Sequence, residues 1–313
     1  MMKKILVILG PTATGKTDLA LKLAKKYNGE LISCDSRQVY KGLNLGTGKM
    51  PSQMSNLKCK MSNGLWEIDG IKIWMYDVIS ANKQYSVFDF VKDATLAIEE
   101  IHKNGKLPII VGGTGLYLKG LLSGFSNLGI PVDEKLRKQL ELLTLQQLQE
   151  KLKNISKEKW NSLNESDQKN SRRLVRAIEL ILNKGKAIRV KGKRKDFNIL
   201  KIGLTANKEI LYQRIDKRVI SRINQGMIKE VKELFEEGLS LERMKQLGLE
   251  YGVLANFLEK KINKEELILI LSRKIHQYVK RQLTWFKKEK NVNWFDITEK
   301  NYPEKVEKLI SKW

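Results

Sequence analysis

Residues 10–17 read G-P-T-A-T-G-K-T and sit between a continuous apolar run, residues 4–9, and a stretch, residues 18–27, in which Leu19, Leu23 and Ala24 recur at helical spacing. Asn28 and Gly29 end that stretch. Strand, Gly-rich loop and helix in this order give the motif its physical meaning: the glycines let the backbone curl until successive N–H groups and the helix N-terminus face one anion. Lys16 can then reach the terminal phosphates, and the Thr17 hydroxyl can hold a magnesium ion, Mg2+. Gly10, Pro11, Thr12, Ala13, Thr14, Gly15, Lys16 and Thr17 are therefore expected to bind a di- or triphosphate, without indicating whose. A fortuitous Gly-rich turn is the competing reading, and the flanking elements weigh against it.

The alternation continues. Residues 30–34 and 71–78 read as short strands. Ser86 opens a helix with Asp89 as the second half of a capping box, Phe90, Val91, Ala94, Ile98 and Ile101 on one face, and Gly105 as its stop. Residues 107–111 form a fully apolar strand running into GGTG at 112–115. Such alternation implies parallel strands joined by crossover helices, with ligands gathered at the carboxyl ends of the strands. From Val132 the pattern turns helical, over 136–153 and 167–182, and residues 185–201 then carry seven basic residues against one acid, Asp196. A returning strand at 198–205 is followed by helical stretches at 208–237, 241–257 and 264–288. The expected fold is α/β: a P-loop NTPase-like parallel sheet core over 1–124 and 197–313, with a basic helical insertion domain over 125–196 and a helical C-terminal part. No internal repeat is visible.

Composition narrows the function classes. With 313 residues, 42% hydrophobic, 30% charged and only 5 Pro, the chain suits a globular protein with a sizeable core. The longest apolar runs, 5–9 and 267–271, fall far short of the ~18–20 residues of a membrane span. The start resembles a signal peptide but passes straight into the phosphate loop with no small-residue cleavage site, which predicts a first strand in a cytoplasmic protein. Cys34, Cys59, His102 and His276 lie too far apart for zinc-ligand spacings, and Cys34, in LISCDS, reads as a buried small hydrophobe.

The 59 Lys and Arg against 35 Asp and Glu give a net charge of +24, so a polyanionic partner is expected. The cations cluster. On a helix over 264–288, Ile268, Leu271, Ile275, Val279, Leu283 and Phe286 share one face, while Arg273, Lys280, Arg281, Lys287 and Lys288 lie opposite with no acid after Arg273. Arg172, Arg173 and Arg176 form a second patch. Arg214 and Arg218, four apart, can instead serve the phosphate site. Asp35 closes the second strand, followed by Ser36, Arg37 and Gln38; a carboxylate there either takes a proton from a nucleophile or caps a turn, and spacing alone does not choose. A dinucleotide site is excluded, because G-x-G-x-x-G is absent after the first strand.

The segments GPTATGKT, ISCDSRQVYKGLNLGTGK, YSVFDF, PIIVGGTGLY, SRRLVRAIE, LYQRIDKRV and KRQLTWF, in this order over nearly the whole chain, resemble the tRNA dimethylallyltransferases, or isopentenyl-tRNA transferases. The resemblance implies transfer of a dimethylallyl group from dimethylallyl diphosphate to the exocyclic amine of the adenosine 3′ of the anticodon, in tRNAs reading codons that begin with U. It implies Asp35 as general base, with Lys16, Arg214 and a magnesium ion on Thr17 at the diphosphate. Contact with the tRNA anticodon stem-loop is implied for Asp35, Ser36, Arg37, Gln38, Thr114, Arg137, Arg172, Arg173 and Arg176; the basic helix adds Lys280 and Arg281. Neither a membrane nor a protein partner is implied. IWMYDV, where the family usually carries a histidine, and LGLEYG, in place of G-Y-R or G-Y-K, depart from the family pattern. The chain stops at Trp313 without a Cys/His extension, as expected of a bacterial-type enzyme. On the residues alone, two other readings stay open: a small-molecule kinase using the same loop for ATP, and a nucleic-acid-binding protein switched by a nucleotide.

Overall fold

The apolar run that opens the chain becomes β1 (Lys3–Leu9), and Ile5 to Leu9 are all buried. A strand this evenly apolar must be covered on both faces, and it lies inside a largely parallel sheet. In the computed structural model, described for residues 2–50, 58–125, 127–130, 132–183 and 197–313, the other strands are β2 (Gly29–Ser33), β3 (Cys59–Ser62), β4 (Leu65–Ile68), β5 (Ile71–Trp74), β6 (Leu107–Gly112), β7 (Phe197–Thr205) and β8 (Val292–Asp296). The eight strands run β3-β4-β5-β2-β6-β1-β7-β8. From β5 to β8 every pairing is parallel, with Leu6 opposite Ile109 on one side and Leu200 on the other; β3, β4 and β5 pair antiparallel.

Two apolar clusters build this unit, which comprises Met1–Leu121 and Arg194–Trp313. One sets Leu19, Leu23 and Ala24 of the helix Lys16–Lys26, and Val306 and Ile310 of the helix Tyr302–Lys312, against the sheet. In the other, Leu211, Ile215 and Val219 of the helix Lys208–Asn224 meet Leu271, Ile275 and Val279 of the helix Lys264–Phe286. Each of the Leu, Ile and Val side chains contributes about 1.5–3 kcal/mol by leaving water, and Ala24 less. The second unit, Leu122–Lys193, has its own core of Leu140, Leu148, Leu152, Leu174 and Ile178.

Several expected elements are divided. The helical stretch at 208–237 breaks at Gly226 and that at 241–257 at Gly248, whose positive φ values of 102° and 70° no helix continues through. Residues 136–153 split because the Thr144 hydroxyl caps a new helix, Leu145–Ile155, with Gln147 completing a capping box. Likewise Asn170 caps Ser171–Leu182 and separates it from the single turn Glu165–Gln168. The strand expected over 71–78 ends at Trp74, since Met75 and Asp77 take positive φ. The pair β3 and β4, strand β8 and the C-terminal helix were not anticipated, and the helix expected to reach Lys288 ends at Phe286. Of the basic connector at 185–201, residues 185–196 lie outside the described residues.

Candidate active site

Loops leaving the carboxyl ends of β1, β2 and β6 meet at one place. The phosphate loop follows β1, Asp35 follows β2, and Gly112–Gly113 close β6. The strands approach so closely that a Cβ at Gly112 would collide with the Cys34 carbonyl, which requires glycine there. The Thr114 N–H donates to the Cys34 carbonyl at 3.2 Å, and the Ser36 N–H donates to the Thr114 hydroxyl at 3.1 Å. Gln282, buried on the helix Lys264–Phe286, joins the remaining pair: its Oε1 accepts from the Thr12 N–H at 2.9 Å and its Nε2 donates to the Gly113 carbonyl at 2.9 Å. One amide thus ties the phosphate loop to the β6 loop. A cavity of about 180 Å3 opens between the loops, and Lys16, Thr17, Asp35, Arg218, Arg222 and Glu250 are among its lining residues.

The charges here are strongly perturbed. Lys16 donates to the Pro11 carbonyl at 2.6 Å; burial, then the neighbouring Arg218, lowers it to about 7, against the opposing pull of Asp35. Burial and Arg222 lower Arg218 to about 9, still protonated at neutral pH. Arg218 also donates to the Thr12 hydroxyl at 3.3 Å. Arg222 is lowered by burial, and Glu250, 3.8 Å from it, is raised by burial. A pocket with excess positive charge suits a multiply charged anion. Asp35 accepts from the Arg37 N–H at 2.8 Å while lining the cavity, so the turn role and the cavity position coexist.

A family model described as IPP transferase matches residues 38–289, and a second, described as isopentenyl transferase, matches residues 3–61. The chain belongs to the IPP transferase family. It is 42% identical to tRNA dimethylallyltransferase 2 of Treponema denticola over 92% of this chain and 94% of that one. It is 35% identical to the tRNA dimethylallyltransferase of Halalkalibacterium halodurans, over 98% and 95%. Among solved structures, the tRNA isopentenylpyrophosphate transferase of Bacillus halodurans matches with a TM-score of 0.68 at 34% identity, covering 99% of this chain and 96% of that one. A eukaryotic dimethylallyltransferase acting on tRNA matches with a TM-score of 0.78 at 26% identity, covering 99% and 80%.

Within this IPP transferase, Thr12, Lys16, Thr17, Asp35, Ser36, Arg37 and Gln38 come together around the cavity. Gly10, Pro11, Ala13, Thr14 and Gly15 shape the loop behind them, with the Thr14 hydroxyl donating to the Pro11 carbonyl at 2.9 Å. Arg214 is exposed and stands beside Gly15 rather than in the cavity lining, where Arg218 and Arg222 are found. Arg222 extends the four-residue ladder of Arg214 and Arg218, a spacing that sequence reading can detect. Thr114 buttresses the Asp35 loop through the Ser36 N–H. Lys280 and Arg281 are exposed next to Gln282, the guanidinium of Arg281 lying 5.7 Å from the Tyr278 ring centroid.

In the helical unit the expected tRNA-facing cations are largely paired. Arg137 makes a two-pronged contact with buried Glu179, at 2.9 and 2.8 Å, and Arg176 bonds the same carboxylate. Burial opposes the charge on Glu179, but these bonds and the Asp133 N–H hold its pKa below the usual carboxylate value. Arg173 pairs with Asp167, while Arg172 is exposed and makes no ion pair among the described residues. The two divergent segments also acquire places. Leu249 and Glu250 line the cavity, and Asp77 takes the buried ammonium of Lys49 and the Trp66 indole N–H, the latter at 2.7 Å.

Proposed function

We propose that this chain transfers the dimethylallyl group of dimethylallyl diphosphate to the exocyclic amine of the adenosine 3′ of the anticodon, in tRNAs reading codons that begin with U. One observation carries the reading: the phosphate-loop residues Lys16 and Thr17, the carboxylate of Asp35 and the cation Arg218 line a single cavity. A leaving diphosphate, an electrophilic carbon and a proton acceptor then fit side by side. Lys16 and Arg218, with Arg214 beside Gly15, offset the charge that builds on the diphosphate as the carbon–oxygen bond breaks. The adenine amine is a weak nucleophile because its lone pair is delocalised into the ring. Asp35 takes the proton that the amine sheds on forming the new carbon–nitrogen bond.

Magnesium suits the donor set. Among the described residues no three His, Cys, Asp or Glu side chains group to hold a metal by themselves, while the Thr17 hydroxyl, a hard oxygen donor, lines the cavity. A cation that keeps waters and phosphate oxygens fits such a site, with Thr17 as its protein ligand. When bound, it neutralises charge on the leaving group.

The amine is within reach only when the adenosine leaves the stack of the anticodon loop. Ser36, Arg37 and Gln38, in the cavity lining, are assigned to that base, with Thr114 holding their loop through the Ser36 N–H and assigned to the same RNA. Lys280, Arg281 and the helical insertion, residues 125–196, with Arg137, Arg172, Arg173 and Arg176, are assigned to the RNA, Arg172 being the cation best placed for a phosphate. No helix among the described residues is long and apolar enough to cross a membrane; with tRNA as substrate we place the reaction in the cytoplasm. The test follows a label from dimethylallyl diphosphate, or separately from ATP, into an unmodified anticodon stem-loop in the presence of magnesium. Label entering RNA from the diphosphate and none from ATP is the expected result. Phosphate transfer or hydrolysis from ATP, with no prenyl transfer to stem-loop or full-length tRNA, would replace the reading with a kinase or switch.

A further inference from the structure

Glu230 lies in the first turn of the helix Met227–Glu236, outside the cavity lining. Its carboxylate nevertheless gathers three successive backbone N–H groups of the segment that reaches the cavity. Oε2 accepts from Asn44 at 3.1 Å and Leu45 at 2.6 Å, and Oε1 accepts from Gly46 at 3.2 Å. The Tyr251 hydroxyl adds a fourth donor, 2.8 Å from Oε1. Burial, then the Glu230 charge, raises Tyr251 well above the usual phenol value, so it stays an O–H donor. A carboxylate has about four acceptor sites, and here all are used. Consecutive N–H groups converging on one anion form a nest, filled in this case from within the chain.

What the nest holds is the wall of the phosphate site. The Gly46 carbonyl accepts from Arg222 at 3.0 Å, and the Thr47 and Gly48 carbonyls accept from the Gln38 amide at 3.3 and 3.2 Å. Gly48 packs so tightly on Arg218 and Arg222 that a Cβ there would clash with both guanidinium groups. Arg218 in turn reaches the Thr12 hydroxyl of the phosphate loop. The connection therefore runs from Glu230 through the backbone of residues 44–48 to two half-buried arginines and the loop they face.

We infer that Glu230 is a positioning residue for diphosphate binding: by pinning residues 44–46 it holds Arg218 and Arg222 at the phosphate loop. The inference rests on the prenyl-transfer reading for the identity of the substrate, though its first readout does not. Glu230→Gln keeps the shape of the side chain but places an NH2 against backbone donors, so the nest loosens. In the full-length protein with magnesium, calorimetric binding of inorganic pyrophosphate is expected to weaken about tenfold in Glu230→Gln. The KM for dimethylallyl diphosphate should rise by a similar factor, with the KM for the stem-loop within about twofold and kcat within about threefold. Glu230→Asp, which keeps the charge, should fall between wild type and Glu230→Gln. Tyr251→Phe removes one of the four donors and should shift pyrophosphate affinity about threefold in the same direction; it also serves if Glu230→Gln does not fold. Unchanged pyrophosphate affinity and KM in the variants, with only kcat reduced, would overturn the assignment and leave Glu230 a stabilising contact. A wild type that binds pyrophosphate yet transfers no prenyl group would sink the functional reading while the binding comparison still decides the role of Glu230. A wild type that binds no pyrophosphate would overturn both.

Discussion

Asp35 illustrates how much one residue's role depends on its surroundings. From spacing alone it is equally a turn aspartate and a base; the fold gives it both positions, bonding the Arg37 N–H while lining the cavity with Lys16. Asp35→Asn should therefore lower kcat for prenyl transfer about 10²–10⁴-fold, measured by label incorporation, with stem-loop affinity within about twofold. Retained activity would remove Asp35 from proton transfer. Lys16 carries a pH signature. Its folded-state pKa of about 7 lies below its ordinary value of 10.5, so the unfolded chain binds the extra proton between those values and stability rises with pH across that window. Lys16→Met should accordingly raise Tm of the unliganded protein by about 3–6 °C at pH 6.5 and by progressively less toward pH 10, read by thermal scans. A pH-independent difference would show that the charge of Lys16 is not the cause. The motif made Lys16 legible, but its depressed pKa was not, because that comes first from burial in the folded chain and then from Arg218, roughly two hundred residues away in sequence.

Elements were legible where local chemistry specifies them. The capping box of Ser86 and Asp89 forms as the sequence implies, opening the helix Val87–Lys103, and Ser86→Ala should cost about 1 kcal/mol in a urea titration. Helices ran too long in the sequence reading where a polar cap or a glycine interrupts continuing apolar periodicity, as at Thr144 and Gly226. Strands β3, β4 and β8 escaped notice because their pattern is short and half exposed, leaving little period to read. In the helical unit, three groups converge on Glu179: the Asp133 N–H and Arg137 from the start of one helix, and Arg176 from one turn earlier on its own helix. Glu179→Ala leaves two cations without their partner and should destabilise that unit by about 3–5 kcal/mol, visible as faster hydrogen exchange over the described part of residues 122–193. Because the pKa of Glu179 is lowered from 4.5, its contribution is present above that value and is lost as pH falls through the depressed one. Exchange rates in wild type and variant should therefore converge in strong acid.

For the whole molecule, a net charge of +24 makes RNA affinity dependent on salt. Replacing both Lys280 and Arg281 with alanine should reduce the slope of log K against log salt by about 1.4 for the stem-loop, in filter binding at several ionic strengths. An unchanged slope would take those side chains off the RNA. The sequence by itself determined the α/β core, because apolar runs too even for one-sided burial alternate with amphipathic helices and only a covered parallel sheet accommodates both. It also determined the Gly-rich loop of residues 10–17 between the first strand and helix, whose pattern lies in consecutive residues. Tertiary structure alone decided which cations face the cavity, that Gln282 ties two loops together, and that Arg137 bonds a buried carboxylate. Those assignments depend on contacts between distant parts of the chain, and a charged side chain reads the same in sequence whether it meets solvent, a partner or a substrate.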